Sequence, residues 1–223
     1  MIRSLKYITN SVQVKHDFKY VTERYFNMLE FKDNCTVLDV GCGPGNTTSE
    51  GLLPLLPKST KLLIGVDISE VLLKYAKEYH QKDGRVRYRH LDIAASRVPS
   101  EFLEFFDNIF SFYVLHFVSN QRNAFKNMYR MAKPGGDIFV SFMGQWSAMD
   151  IYRTLVCEIK WKPFLQNCGK ITAPTYTTHN PEKYLKNVLD EVGFRLTLYH
   201  EEVKQWVYSK QEFIGTLQSF QTE

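Results

Sequence analysis

The chain has 223 residues, 44% hydrophobic and 23% charged, which is the balance of a globular protein with room for one α/β domain. Its net charge of +4, without a block of Lys or Arg, argues against nucleic-acid binding. No apolar run approaches the roughly 18 residues of a membrane span, and the N-terminus lacks the apolar stretch of a secretory signal. The four cysteines show no CxxC pair or metal-ligand spacing, so we expect a reduced, cytoplasmic chain without structural metal.

Apolar residues at helical spacing predict an N-terminal helical segment within residues 1–30. Buried strands then alternate with helical stretches of about 10–15 residues, the pattern of βαβ units and a parallel sheet with helices on both faces. The predicted strands cover residues 35–40, 62–66, 86–91, 106–115 and 137–142, and the helices between them cover 46–56, 69–80 and 120–132. Further predicted elements are a turn at 133–136, a helix at 181–192, a sixth strand from 193 and a terminal helix after a capping box at 209–212.

The strongest motif is Val37-Leu-Asp-Val-Gly-Cys-Gly-Pro-Gly45, which joins the first predicted strand to a helix. Glycines at the carboxyl end of a parallel strand let a ligand approach the backbone, and the helix N-terminus favours a carboxylate or phosphate. A dinucleotide loop needs Gly-x-Gly-x-x-Gly, but position 46 is Asn46. Asp39 beside the loop would repel a pyrophosphate, whereas it suits the ammonium group of a methionine moiety. An NAD oxidoreductase is therefore the least favoured alternative.

Two further acids follow the next two predicted strands. Asp67 can accept hydrogen bonds from both hydroxyls of a ribose, and Ile68 offers an apolar face to an adenine. Asp92, with Ile93 beside it, can accept a hydrogen bond from the adenine amino group. Singly, each acid also fits a helix cap or a turn, but together with Asp39 they predict an adenosine site.

The motifs Asp39-Val-Gly-Cys-Gly-Pro-Gly45, Phe106-Asp-Asn-Ile109 and Pro134-Gly-Gly136 resemble class I methyltransferases over residues 35–142. The resemblance implies a doubly wound, Rossmann-like α/β sheet that binds S-adenosylmethionine. In that family the last strand is antiparallel and lies between the fifth and the sixth, and we expect this sheet to lack it. The residues assigned to the cofactor are Asp39, Gly41, Cys42, Gly43, Gly45, Asp67, Ile68, Asp92, Ile93 and Ser111.

The chain also resembles the juvenile hormone acid O-methyltransferases of arthropods over nearly its whole length. The resemblance rests on motifs such as Asn10-Ser-Val-Gln13, Val66-Asp-Ile-Ser69, Phe110-Ser-Phe-Tyr-Val-Leu-His116 and Tyr152-Arg-Thr-Leu155. It implies a role in juvenile hormone biosynthesis. The implied reaction is O-methylation of the carboxylate of a lipophilic acid, sesquiterpenoid or fatty, such as juvenile hormone acid or farnesoic acid.

A carboxylate is ionised at neutral pH, so its methylation needs orientation and exclusion of water but no base. The resemblance places a neutral donor at Gln13 and matches His116, and these two are the candidate catalytic residues. The family has a Trp after this His, where the chain has Phe117, which cannot donate a hydrogen bond. Phe117, Tyr113 and Trp146 are the candidate residues of the acceptor pocket.

We expect one methyltransferase domain over residues 1–223. Its predicted parts are a helical lid (1–30), a cofactor-binding core (35–142), a substrate-side insertion (143–192), and a sixth strand with the terminal helix (193–223). Expected partners are a small lipophilic acid and no nucleic acid, with the chain a monomer or homodimer. Two alternatives stay open: a methyltransferase with a hydroxyl or amine acceptor, and a catalytically silent methyltransferase-like binding protein.

Overall fold

Parallel strands alternate with helices through the described residues of this computed structural model, which are 12–145, 147–160, 173–207, 209 and 211. These residues divide into two units. The first unit is the described part of 1–90 and 197–223, and the second is the described part of 91–196. The prediction of a single domain with four parts remains a prediction.

The first unit contains three parallel strands in the order β3-β2-β1, with Thr36 beside Leu62 and Leu63 beside Val86. Both faces of the middle strand are buried, as in parallel sheets covered by helices. Its elements are α1 (Val12–Tyr25), a 3₁₀ turn (Phe26–Met28), β1 (Thr36–Val40), a π-helical segment (Thr47–Leu52) running into α2 (Leu53–Leu55), β2 (Leu62–Asp67), α3 (Glu70–Tyr79) and β3 (Val86–His90).

The second unit pairs β4 with β5 in parallel. The strand β4 is buried throughout, and Phe194, just past the last helix, packs its ring edge-on against Tyr129 with ring centroids 5.0 Å apart. Its main elements are β4 (Phe106–Phe112), α4 (Gln121–Met131), β5 (Ala132–Ser141), α5 (Ser147–Val156), α6 (Pro174–Thr177) and α7 (Pro181–Val192). Five parallel strands with flanking helices confirm the predicted α/β class.

The predicted turn at 133–136 lies inside β5, which begins earlier than expected. The register passes from Phe106 beside Ala132 to Asn108 beside Asp137, so the Pro-Gly-Gly residues form a bulge between the two pairs. Gly136 fits there because a Cβ at this position would lie 2.7 Å from the Asp107 carbonyl oxygen. Local sequence identified the irregularity, but not the strand that continues on both sides of it.

The predicted sixth strand is wrong, because residues 194–200 form no strand. Leu196 and Leu198 in this segment are 40% and 43% exposed. A strand requires the backbone of a neighbour for its hydrogen bonds, and five strands are all that the described residues contain. The predicted terminal helix lies outside the described residues, apart from Ser209 and Gln211.

Residues 200–206 instead form what we call the strap, a segment that contacts α1 through every second side chain. The Nζ atom of Lys204 lies 3.2 Å from Asp17 Oδ1, and Tyr20 donates a hydrogen bond of 2.8 Å to Glu202. The strap runs antiparallel to α1 through the pairs His200–Tyr25, Glu202–Tyr20, Lys204–Asp17 and Trp206–His16. The strap therefore contacts α1 from His16 to its last residue, Tyr25.

The buried ring of Tyr88 fills the space between Gly45 and Gly65 in the first unit. A Cβ at Gly65 would lie 2.8 Å from the Tyr88 ring, and one at Gly45 would lie 2.7 Å from its hydroxyl. The same hydroxyl donates a hydrogen bond of 3.1 Å to the Gly45 carbonyl oxygen. Tyr88 on β3 therefore supports the loop that follows β1.

We expect Gly65→Ala to destabilise the protein by about 1–3 kcal/mol, because the new methyl group overpacks a closed contact with Tyr88. The matched control is Gly84→Ala, since no atom lies within 4 Å of a Cβ there and a methyl meets open space. The control should change stability by less than about 1 kcal/mol, in the stabilising direction. Urea unfolding measures both, and equal effects of the two substitutions would contradict the packing described for Tyr88.

Candidate functional site

The loop Gly41–Gly45 has a backbone that favours glycine at three positions. The φ angles of Gly41, Gly43 and Gly45 are +77°, +54° and +86°, in the left-handed region that disfavours residues with a Cβ. The amides of Gly41 and Cys42 both donate to the Val66 carbonyl oxygen, at 2.7 and 3.0 Å. The loop is thus pinned to the carboxyl end of β2.

Asp67, the last residue of β2, joins this loop to the start of α3. Its Oδ2 accepts a hydrogen bond of 2.9 Å from the Gly43 amide, and its Oδ1 accepts one of 2.8 Å from the Ser69 amide. Burial raises the pKa of Asp67, while the amide donors of Ser69 and Gly43 oppose this shift. Each carboxylate oxygen has a second lone pair, so two hydroxyl donors can still be accepted. Ile68 beside it is 64% exposed, as an apolar face for a ligand requires.

Asp39 lies one residue before the end of β1 and is only 3% exposed. Burial raises its pKa to about 6, and the hydrogen bond of 2.6 Å from the Thr48 hydroxyl limits the rise. The charge of Asp67 adds to the rise. A bound ammonium group would favour the ionised form and relieve this cost.

Thr48 and Tyr88 are supporting residues that sequence reasoning missed. The sequence offers Asn46, Thr47 and Thr48 as cap side chains for the predicted helix at 46–56, but the Thr48 hydroxyl donates to Asp39, and Asn46 makes no side-chain cap hydrogen bond. The segment 47–52 is wound as a π-helix, so the helix does not begin as the cap prediction requires. Gly65 within a buried strand was the available signal for Tyr88, since such a glycine often marks a close approach.

Cys42 is buried in the loop, and burial raises the pKa of its thiol well above the usual value. The negative charges of Asp39 and Asp67 raise it further. A protonated, enclosed thiol acts as a small apolar residue, so Cys42 shapes the loop without contributing a nucleophile.

Asp92 and Ile93 follow β3 in the chain and belong to the second unit. The Asp92 Oδ1 atom accepts a hydrogen bond of 2.8 Å from the Ala94 amide, and Ile93 is buried. Ser111 is a buried residue of β4. The roles predicted for these three residues toward a cofactor remain predictions.

Three predicted residues of the acceptor side lie together after β4. The ring centroid of His116 is 4.0 Å from that of Phe117 and 6.0 Å from that of Tyr113. Tyr113 has a φ of +61°, which is strained for a bulky side chain, and its amide donates to Ser141 at 2.7 Å. Strain of this kind concentrates at functional sites. The prediction that places Trp146 beside them falls on a residue outside the described part of the chain.

His116 is 2% exposed, and burial lowers its pKa to about 3. The ring is therefore neutral at physiological pH, and one of its two nitrogens carries a proton that it can donate. Within the described residues its Nδ1 atom has no hydrogen-bond partner. A buried polar atom in this state leaves room for a partner outside the described residues, such as a ligand.

Gln13 lies on α1 and is half-buried. The same helix packs its Phe18 ring over the segment that follows the glycine loop. The approach is close, since a Cβ at Gly51 would lie 2.8 Å from that ring. The role of α1 as a lid, and of Gln13 as a donor, remain predictions.

A search for His, Cys, Asp and Glu side chains grouped as metal ligands finds none in the described part of the chain. In the same residues, every helix is too short or too polar to cross a membrane.

Residues 38–140 match the family model described as a methyltransferase domain. The chain contains a methyltransferase domain. The juvenile hormone acid O-methyltransferases of Drosophila melanogaster and Bombyx mori are 34% and 35% identical to it, over 86% and 83% of this chain. The chain spans 65% and 66% of their lengths, just under two thirds.

Phosphoethanolamine N-methyltransferase 2 of Haemonchus contortus, solved in complex with S-adenosyl-L-methionine, has the same fold as this chain. Its TM-score is 0.52 at 21% identity, with 80% of this chain and 36% of that one covered. The predicted class I fold and the predicted homology to the juvenile hormone acid O-methyltransferases are confirmed.

We expect Asp39→Asn to stabilise the protein at pH above about 6. The folded-state pKa of about 6 exceeds the ordinary value of 3.8, so the folded protein binds this proton more tightly than the unfolded chain. Stability is therefore lost as the pH rises from about 4 to about 6, on the order of 3 kcal/mol in all. Asparagine keeps an oxygen to accept from Thr48 and removes this loss.

Urea unfolding of both proteins between about pH 4 and pH 8 measures the difference. The control Thr48→Val should have the opposite effect, because it removes the hydrogen bond that favours the ionised carboxylate. Its loss of stability should be largest at high pH, where Asp39 is ionised. If stability changes with pH in the same way in wild type and Asp39→Asn, ionisation of Asp39 does not lower the stability of the folded protein.

Proposed function

We propose that this protein is a cytoplasmic enzyme that transfers a methyl group from S-adenosylmethionine to the carboxylate of a lipophilic acid, sesquiterpenoid or fatty. The observation that carries the cofactor assignment is Asp67, whose carboxylate fixes Gly43 of the loop and retains acceptor capacity. The two relatives whose names state juvenile hormone acid support the acceptor class.

The residues around the loop fit parts of S-adenosylmethionine. Asp67 would accept the ribose hydroxyls, and the exposed Ile68 would cover the adenine. The carboxylate of Asp39 would pair with the ammonium group, which relieves the cost of its buried charge. For Asp92, which belongs to the second unit, acceptance from the adenine amino group is part of the proposal. The Haemonchus contortus enzyme, solved with this cofactor and sharing the fold, supports the assignment.

When bound, S-adenosylmethionine supplies an electrophilic methyl group. A carboxylate acceptor needs no deprotonation, so the residues of the chain have only to orient it and exclude water. We assign this orientation to the Gln13 amide and to Nδ1 of the neutral His116. A hydroxyl acceptor would need a general base, and a histidine with a pKa of about 3 is a poor one. The protonation state of His116 thus favours the carboxylate.

The cytoplasmic location is supported by cysteine chemistry. Cys35 and Cys42 are buried thiols that form no disulfide. Thiols outside disulfides are typical of a reducing compartment, because oxidising compartments favour disulfide formation.

For the cofactor, we expect Asp67→Ala to weaken S-adenosylmethionine binding at least tenfold, and far more than Asp92→Ala. Asp67 would lose two charge-assisted hydrogen bonds of roughly 1.5–3 kcal/mol each, whereas Asp92 would lose one. Titration calorimetry measures the affinities. Glu70→Ala is the matched control, because it removes an exposed acid three residues along the chain. Wild-type affinity in Asp67→Ala, or preferential binding of NADH, would refute the cofactor assignment.

For the acceptor, we expect Gln13→Ala to lower turnover of an apolar acid about tenfold or more while cofactor affinity stays within about twofold. Phe117→Trp should leave the rate unchanged or raise it, because it adds a donor beside His116. Methyl transfer to farnesoic acid, a fatty acid and the matching alcohols is the assay. Lys19→Ala is the control on the same helix, since Lys19 is exposed and pairs only at the surface with Glu23. Faster methylation of the alcohols would exclude the carboxylate proposal.

A further inference from the structure

Two asparagines of α4 hold the backbone of the loop that contains Asp92. Asn123 Nδ2 donates hydrogen bonds of 2.7 Å to the carbonyl oxygens of both Ala94 and Ala95. Asn127 Nδ2 donates to Ile93 at 2.8 Å and to Ala95 at 2.7 Å. We call this pair the Asn clamp. It satisfies three consecutive carbonyl groups of the loop.

The clamp is a built feature of the second unit. Residues four apart lie on one face of a helix, so both amides point at the same loop. Asn127 is 1% exposed, and a buried amide is retained where it has hydrogen-bond partners. Short apolar side chains would pack this face of α4 as well, but they would leave the three carbonyl groups unpaired.

The Asn clamp is linked to the Asp92 side chain through the backbone of Ala94 and Ala95. Asp92 Oδ1 accepts from the Ala94 amide at 2.8 Å, and the Asp92 carbonyl oxygen accepts from the Ala95 amide at 3.1 Å. The clamp fixes the carbonyl groups of those same two alanines. A shift of the loop therefore turns the Asp92 carboxylate.

We propose that Asn123 and Asn127 are positioning residues that set the selectivity of this site for adenine over bases without a 6-amino group. The inference rests on the proposed function, in which Asp92 accepts from that amino group. A hydrogen bond weakens steeply with distance and angle, so selectivity requires a carboxylate held in place. A base with an oxygen at position 6 would place this acceptor next to the carboxylate, and two acceptors repel each other. A mobile loop could move the carboxylate away and so bind both kinds of base.

The test compares S-adenosylhomocysteine with S-inosylhomocysteine, in which an oxygen replaces the 6-amino group of the base and N1 carries a proton. Titration calorimetry on the full chain should give the wild type at least about a tenfold preference for the adenosine ligand, the effect of one charge-assisted hydrogen bond. Asn127→Leu and Asn123→Ala should reduce this preference to less than about threefold. Asn123 is only half-buried, so its substitution keeps the test open if Asn127→Leu does not fold.

Asn120→Ala is the matched control on the same helix. Asn120 caps α4 by accepting from the Asn123 amide at 3.0 Å, so its loss lowers the melting temperature. The preference for the adenosine ligand should stay at the wild-type value, because a loss of stability alone does not change the ratio of the two affinities.

A double-mutant cycle shows whether the clamp acts through Asp92. In Asp92→Asn the preference should already be lost, and adding Asn123→Ala should change it no further. A wild-type preference that persists in both clamp variants, or an equal affinity of the wild type for both ligands, overturns the inference. Failure of the wild type to bind either ligand overturns the proposed function instead.

Discussion

The hydrogen bond from the Gly43 amide to the Asp67 carboxylate is the contact on which the first unit's candidate site depends. It ties the loop after β1 to the end of β2, and the pairing of Gly41 and Cys42 with the Val66 carbonyl adds a second tie. The left-handed backbone of the loop places these amides, so glycine and aspartate are required together. The acid that is free to accept a ligand is thus the one that holds the ligand loop in shape.

Negative charge is concentrated in this small region at a cost to stability. Asp39 is buried with a pKa of about 6, and the nearby Asp67 also has a raised pKa. An asparagine at position 39 would serve the fold better, since it keeps the oxygen that Thr48 contacts. A buried carboxylate that lowers stability in this way is consistent with the proposed binding of an ammonium group. In the second unit, His116 is neutral because burial lowers its pKa, and it is the residue that we propose to orient an anionic acceptor.

Elements defined by local sequence were predictable here. The glycine loop, the first three strands and the helix at 181–192 follow from composition and spacing, because glycine conformation and apolar periodicity are local properties. Features that depend on a distant partner were not. Residues 194–200 have the composition of a strand but have no described neighbour to pair with. Thr48 was interpreted as a cap because its contact, Asp39, becomes a neighbour only through the π-helical turn.

The strap has a consequence for the order in which the chain acquires its structure during synthesis. Asp17 and Lys204 are 187 residues apart, so their ion pair cannot form until Lys204 has left the ribosome. The second unit, by contrast, is one continuous stretch of the chain, so its contacting residues are separated by fewer residues along the sequence. Loop closure over longer separations costs more conformational entropy, and non-local contacts form late. Helix α1, the first described element to be made, can pack early through Phe18 near Gly51, but its contacts with the strap are among the last to form.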